Sequence, residues 1–138
     1  MRVRKQPAHR SGAALVEAAF VLPVLFFLVF VIISGAMMVI AADEVAGVAR
    51  EGARFASVRG TSYATNTKQP AATAADVAGY VKGLGATLDP ARMTCTTTWQ
   101  GSNSPGQFVT VEVHYQWPGL GPFKAREFVN RSTMLVSY

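Results

Sequence analysis

A single apolar run limits what this chain can fold into. Residues 18–42 carry no charged side chain over 25 positions, and fifteen of them are Val, Ile, Leu or Phe. As an α-helix the run is about 37 Å long, which exceeds the roughly 30 Å hydrocarbon core of a bilayer. Each of those fifteen side chains favours insertion by about 0.3–0.6 kcal/mol at the centre of a membrane helix. The run therefore predicts a transmembrane segment, with the lipid bilayer as its partner.

The residues in front of this run distinguish it from a secretory signal peptide. Four basic residues precede a cluster of small residues at positions 11–14, and Glu17 follows that cluster. A signal peptide has an apolar core of about 7–15 residues and is cleaved after that core. Here the small residues come before a longer core. Cleavage between Gly12 and Ala13 would leave the whole apolar helix on the mature protein, which is the layout of a type IV prepilin leader, with Glu17 at the fifth mature position.

The charge distribution predicts the topology of the chain. Of thirteen Lys and Arg residues, four lie in residues 1–12, which contain no acid, so the remainder has nine basic against eight acidic residues. Basic residues beside a membrane segment favour a cytoplasmic location for that end, so residues beyond about 42 are expected outside the cytoplasm. Because the excess is confined to one end, we expect no nucleic-acid partner. The four basic residues are Arg2, Arg4, Lys5 and Arg10.

Helical periodicity continues beyond the apolar run. Residues at three- and four-residue steps predict one buried helix face; they are Ala41, Val45, Val48, Gly52 and Phe55. Glycine in a helix costs up to about 1 kcal/mol relative to Ala, so Gly47 and Gly52 suggest close packing against another helix or a sheet. We expect one helix from about residue 13 to residue 58, kinked at Pro23.

Three motifs follow one another within this helix. They are Gly-Ala-Ala-Leu-Val-Glu at 12–17, Val-Leu-Pro at 21–23 and Ala-Arg-Glu-Gly-Ala-Arg at 49–54. Together they resemble the TadE-like family of the tight-adherence (Flp) pilus system, over about residues 10–60. The sequence departs from the family in two respects. Ala18 follows the leader glutamate where members usually have Phe, and Ser34-Gly35 lie in the apolar run where members often have a second acid.

The resemblance implies a membrane-inserted minor pilin or pseudopilin that assists assembly or priming of the pilus, without enzymatic activity. It implies a prepilin peptidase as a partner, together with other pilus subunits and assembly-platform membrane proteins. The implied location is the cytoplasmic (inner) membrane, with the pilus or cell surface as a second location. The alternative is an uncleaved single-pass binding or scaffold protein of the cell envelope. The residues implied in assembly or recognition are Glu17, Pro23, Arg50, Glu51, Gly52 and Arg54.

The arginines of the third motif allow two interpretations. Arg50 and Arg54 are four residues apart, so they share one face of a helix. They can bind an acidic partner or lipid headgroups, or they can form an ordinary solvated face.

The last part of the chain predicts a small α+β domain. Residues 60–69 are polar and predict a loop, after which Thr73 and Asp76 resemble a capping box that begins a helix of about three turns. Its apolar face is expected to contain Val77, Tyr80, Val81 and Leu84. Three strands follow, at Met93–Trp99, Phe108–Trp117 and 129–138. The expected organisation is a leader (1–12), a long helix (13–60) and an extracytoplasmic domain (61–138), in a pilin-like α+β fold.

The second strand alternates clearly. Its expected apolar face contains Val109, Val111, Val113, Tyr115 and Trp117. Trp99, Tyr115 and Trp117 are interpreted as core residues, with a carbohydrate or partner surface as the alternative.

Few residues are candidates for chemistry. His114 is the one candidate base outside the leader, and we interpret it with Glu112 as a solvent-facing polar pair. Cys95 is the only cysteine, so an intramolecular disulfide is impossible, and a small buried apolar role is expected. Since the remaining acids show no ligand spacing, neither a metal site nor a cofactor is expected.

Overall fold

The computed structural model describes residues 10–138 and consists of a long helix joined to a small α+β domain. In chain order its elements are α1 (Arg10–Ser57), α2 (Thr61–Thr67), α3 (Ala74–Leu84), a 3-10 turn (Pro90–Arg92), β1 (Met93–Trp99), β2 (Phe108–Trp117) and β3 (Arg126–Leu135). The predicted α+β class is confirmed. Arg2, Arg4 and Lys5 of the predicted leader lie outside the described residues.

Helix α1 has two halves with different surroundings. It is 48 residues long and continues through Pro23 without a break. Residues 12–30 are all exposed, whereas the later half buries one face. The predicted buried positions Ala41, Val45, Val48 and Gly52 are buried, and Phe55 is half-buried. Three alanines complete this face and let the helix lie close to the sheet; they are Ala49, Ala53 and Ala56.

The strands form one antiparallel sheet in the order β1-β2-β3. The five predicted apolar positions of β2 are all buried. They face the helical layer, in which α1 packs on β2 and β3 while α3 packs on β1. The core therefore lies between one face of the sheet and the two helices, and the opposite face of the sheet is open.

The predicted bounds of the third strand are displaced by three residues. The strand was expected at 129–138, but β3 is Arg126–Leu135 because it pairs with β2 along the whole length of that strand, from Trp117↔Arg126 to Phe108↔Leu135. After Leu135 the chain leaves this ladder. The N–H of Val136 donates to the carbonyl of Gln107 at 2.8 Å, and the N–H of Ser137 donates to the carbonyl of Ser57 at 2.9 Å.

The expectation of a loop at 60–69 is wrong, because this segment contains α2. The hydroxyl of Thr65 donates to the carbonyl of Thr61 at 3.1 Å, and the hydroxyl of Thr67 donates to the carbonyl of Tyr63 at 2.8 Å. These polar side chains therefore form hydrogen bonds within the helix, which is compatible with helical backbone. A tertiary hydrogen bond from the N–H of Thr61 to the carbonyl of Asn103, at 2.8 Å, fixes the start of the helix.

Helix α3 begins as the sequence predicts. The hydroxyl of Thr73 accepts from the N–H of Asp76, and the Asp76 carboxylate accepts from the N–H of Thr73, which completes the capping box. Val77 and Val81 are fully buried, whereas Tyr80 lies at the margin and stacks on Phe55 with ring centroids 4.3 Å apart.

Candidate membrane and assembly surfaces

The first half of α1 presents an exposed apolar surface. Phe20 and Phe26 are 73% and 68% exposed, which is unusual for aromatic side chains in a folded chain. Within residues 10–138, one helix is long and apolar enough to cross a membrane. Of the residues in its most apolar 18-residue stretch, 11% are buried. A core helix of a soluble protein would be mostly buried. This surface is suited to contact with lipid chains or with other apolar helices.

The described residues of the predicted leader junction lie on this exposed half. Gly12, Ala13 and Glu17 are exposed, and no atom of the described residues lies within 4 Å of a Cβ built at Gly12. Ala13 and Glu17 are four residues apart in the same helix, so they lie on one face, one turn from each other. No salt bridge among the described residues includes Glu17. Pro23 is exposed two turns further on.

The Arg-Glu-Gly-Ala-Arg motif is divided between the two faces of the helix. Gly52 and Ala53 are buried, whereas Arg50, Glu51 and Arg54 are exposed. A Cβ at Gly52 would lie 2.6 Å from Cγ2 of Val81. The motif therefore combines a packing position with an outward row of charges.

The close packing suggested for the two glycines is found at one of them. Gly52 packs against both α3 and the sheet, since a Cβ there would also lie 3.2 Å from Cγ1 of Val111. At Gly47, nothing described lies within 4 Å of a Cβ.

The outward charges of this motif are available to a partner. In the described part of the chain, no salt bridge involves Arg50, Glu51 or Arg54. Arg59 differs, because its guanidinium lies over the ring of Phe55, 4.3 Å from the centroid. The structure does not bring the junction residues near this row, since Glu17 and Arg50 are about 50 Å apart along the helix.

The open face of the sheet carries a polar cluster centred on Glu112. Its carboxylate accepts hydrogen bonds from Nη2 and Nε of Arg131, at 2.6 and 2.9 Å. The ring of His114 lies 3.2 Å from Glu112 and 3.1 Å from Glu127. The hydrogen bond from Arg131, together with the positive charge of that side chain, lowers the pKa of Glu112. The predicted pair of Glu112 and His114 is present, and the register adds Arg131 and Glu127 to it.

This cluster has the character of a surface network. Glu112 pairs directly with Arg131 across the strands, and each member of the network is partly open to solvent. Within residues 10–138, His, Cys, Asp and Glu side chains form no group of three that could hold a metal ion.

The aromatic residues and the cysteine lie on the inner face of the sheet. Tyr115 and Trp117 are buried, at 4% and 7% exposure, as expected for core residues. Trp99 and Cys95 are half-buried on β1. Burial raises the pKa of the Cys95 thiol, which favours its neutral form.

One contact was not predicted from the sequence. The connection between β2 and β3 reaches back to the apolar half of α1. A Cβ at Gly121 would lie 2.5 Å from Cε1 of Phe30 and 3.3 Å from Oγ of Ser34. The proline- and glycine-rich composition of this connection indicates a turn. It does not indicate that the turn packs on α1, because the residues in contact are far apart in the sequence.

These features define a class: an α+β protein with a single N-terminal apolar helix that is compatible with membrane anchoring. The family model described as TadE-like protein matches residues 12–54. The resemblance predicted from the sequence is confirmed over this stretch of 43 residues, about a third of the chain. The TadE-like family is a pilus-associated family and not an enzyme family. No curated protein and no solved structure matches the chain.

Proposed function

We propose that the protein is a membrane-inserted minor pilin or pseudopilin that assists assembly or priming of a tight-adherence (Flp, type IV-like) pilus. The observation that carries this proposal is the continuity of α1, in which an exposed apolar half leads directly into a half packed on the sheet. The α+β domain is thereby packed on the same helix that carries the apolar segment. The TadE-like match over residues 12–54 supports the association with this pilus.

The exposed apolar half can exchange lipid contacts for protein contacts. Before assembly it spans the cytoplasmic membrane, with the basic leader in the cytoplasm and the α+β domain outside. During assembly the same side chains pack against apolar helices of other pilus subunits or of the assembly platform. The apolar side chains remain covered by apolar groups throughout this exchange. The exchange therefore costs little free energy, because lipid chains and the helices of a partner are similarly apolar.

Cleavage between Gly12 and Ala13 by a prepilin peptidase prepares the helix for this exchange. It removes the four basic residues of the leader and creates an amine at Ala13. Gly12 is exposed, and within the described part of the chain no atom lies within 4 Å of a Cβ built there, which supports access by the peptidase.

Glu17 then links cleavage with assembly. When apolar helices pack around it, its ionised carboxylate is costly unless it is paired. The new amine at Ala13, one turn away on the same chain or on a neighbouring chain, is the partner that we propose. This ion pair would set the axial register between subunits.

The exposed row on the upper half of α1 is the second proposed assembly surface. Arg50 and Arg54 lie on one helix face beside Glu51, and in the described chain they form no salt bridge. We expect this row to contact acidic side chains of other pilus subunits or of the assembly platform.

The test is complementation of a strain that lacks this protein. Wild type should restore piliation and co-purify with pilus subunits, whereas Glu17→Gln should insert into the membrane but co-purify poorly. Asp43→Asn is the matched control, since it removes an exposed acid from the same helix beyond the apolar run. If Glu17→Gln assembles like wild type, the pairing hypothesis fails. If the deletion leaves piliation unchanged, the pilus function fails and an uncleaved envelope scaffold is favoured.

A further inference from the structure

The loop between β2 and β3 contacts α1 inside the predicted membrane segment. This 118–123 loop has the sequence Pro-Gly-Leu-Gly-Pro-Phe. Gly121 packs against Phe30 and Ser34, and Phe123 lies 3.5 Å from a Cβ built at Gly35. Ser34 is fully buried there. Ser34 and Gly35 are the two small residues that interrupt the apolar run, and they leave the space that the loop occupies.

The depth of this contact follows from the rise of the helix. Ser34 is about 26 Å from Glu17 along α1, and Phe30 is about 20 Å from it, whereas the hydrocarbon core is roughly 30 Å thick. If the hydrocarbon begins at Glu17, the loop lies within its outer third. Tilting the helix would place the loop deeper, because a tilted helix needs more residues to cross.

In the other possible placement of the helix, the loop lies outside the lipid, but Glu17 is then buried in the hydrocarbon. This placement requires the hydrocarbon to end near Phe30 and therefore to begin about 20 residues earlier, near position 10. Glu17 would then lie about 10 Å inside the hydrocarbon before any partner helix is available. An ionised carboxylate is costly there, so the deeper position of the loop is favoured.

The backbone of the loop pairs two of its four N–H groups within the loop, those of Leu120 and Phe123. Unpaired backbone N–H and C=O groups are strongly disfavoured in hydrocarbon. Pro118 and Pro122 have no N–H, and Leu120 and Phe123 donate to each other's carbonyls at 3.0 and 3.1 Å. Gly121 adopts a φ of +58°, which allows the tight turn between these two residues.

The side chains around the loop are suited to lipid. Leu120 is 36% exposed, and beside it opens an apolar groove of about 320 Å³ whose lining includes Met37, Ile40 and Trp117. Lys124 follows the loop directly and is exposed. A lysine at this position can extend its ammonium group to the phosphate headgroups while its stem remains in the apolar region.

We propose that the 118–123 loop is embedded in the outer leaflet of the phospholipid bilayer and gives the domain a second membrane contact. This inference rests on the proposed function in one respect, namely that α1 spans the membrane. The loop would hold the domain at a fixed height and orientation until assembly draws the subunit out of the lipid.

Fluorescence quenching in vesicles tests this inference with the full-length protein. In a Cys95→Ser background, an environment-sensitive probe is attached to Leu120→Cys, Leu25→Cys or Ser102→Cys, and the protein is reconstituted in phosphatidylcholine–phosphatidylglycerol vesicles. Nitroxides on the acyl chains report depth, and iodide reports exposure to water. Leu25 represents the membrane segment, and Ser102 lies in the exposed connection between β1 and β2.

The acyl-chain nitroxides should quench the probe at position 120 at least half as strongly as the probe at position 25. The probe at position 102 should be quenched by iodide and not by the nitroxides. Pro122→Cys, also exposed, should repeat the Leu120 result. If the nitroxides quench the Leu25 probe while iodide quenches the probes at Leu120 and Pro122, the loop is in water. The inference is then overturned, although the membrane span stands. If the nitroxides do not quench the Leu25 probe, the span fails, and the proposed function fails with it.

Discussion

Gly52 of α1 lies so close to Val81 of α3 that a Cβ at Gly52 would be 2.6 Å from Cγ2 of Val81. The same Cβ would be 3.2 Å from Cγ1 of Val111 on β2. Both valines are fully buried, so neither can move away without disturbing the core. The absence of a side chain at position 52 therefore sets how closely the long helix approaches both α3 and the sheet.

Gly52→Ala should destabilise the domain, although alanine is the better helix former. Overpacking typically costs about 1–3 kcal/mol, against a helix-propensity gain of about 1 kcal/mol, so we expect a net loss of up to about 2 kcal/mol. Gly47→Ala is the control, because a Cβ there meets nothing within 4 Å. It should raise stability by up to about 1 kcal/mol. Thermal unfolding of the full chain in detergent micelles measures both, and equal effects would contradict the packing account.

The capping box of α3 predicts a dependence of stability on pH. Backbone and side-chain hydrogen bonds from Thr73 lower the pKa of Asp76. Because the folded pKa is the lower one, the contribution of Asp76 is fully present above its unfolded pKa of about 3.9. It is lost as the pH falls through the folded pKa.

Asp76→Asn should therefore be less stable than wild type at pH 7, and this difference should shrink in acid below about pH 4. Thr73→Ala should lower the free energy of unfolding by about 1 kcal/mol, as expected for loss of an N-cap. Unfolding monitored by circular dichroism between pH 7 and pH 3 measures these effects. A difference between wild type and Asp76→Asn that is independent of pH would contradict the role given to the carboxylate.

Local patterns predicted most of the secondary structure. The 3.6-residue period gave the long helix to within three residues at either end, and the alternation in β2 identified its buried face. The failures have non-local causes. Helix α2 is polar and is held by a hydrogen bond to Asn103, and the bounds of β3 depend on pairing with β2.

The candidate surfaces were predictable to different degrees. The sequence identified Arg50 and Arg54 as sharing a face and Gly52 as buried, but it did not identify Ala53 as buried. The contact of Gly121 with Phe30 and Ser34 was not predictable, because no local pattern relates residues so distant in the chain. Likewise, the addition of Arg131 and Glu127 to the polar cluster required the strand register.

The basic leader predicts that the α+β domain lies outside the cytoplasm. Thr65 is exposed on α2 and is a suitable reporter. In a Cys95→Ser background, Thr65→Cys should react with a membrane-impermeant maleimide in intact cells or spheroplasts. Reaction only after the membrane is broken would mean that the topology is inverted.

The central claim is that the chain is processed and used as a pilin-like subunit, and the intact mass of the protein from its native membrane tests this most directly. In cells that contain the prepilin peptidase, the mass should correspond to a chain that begins at Ala13 and lacks residues 1–12. In cells without the peptidase, the leader should remain. A chain that still begins at Met1 or Arg2 in the presence of the peptidase would contradict the account.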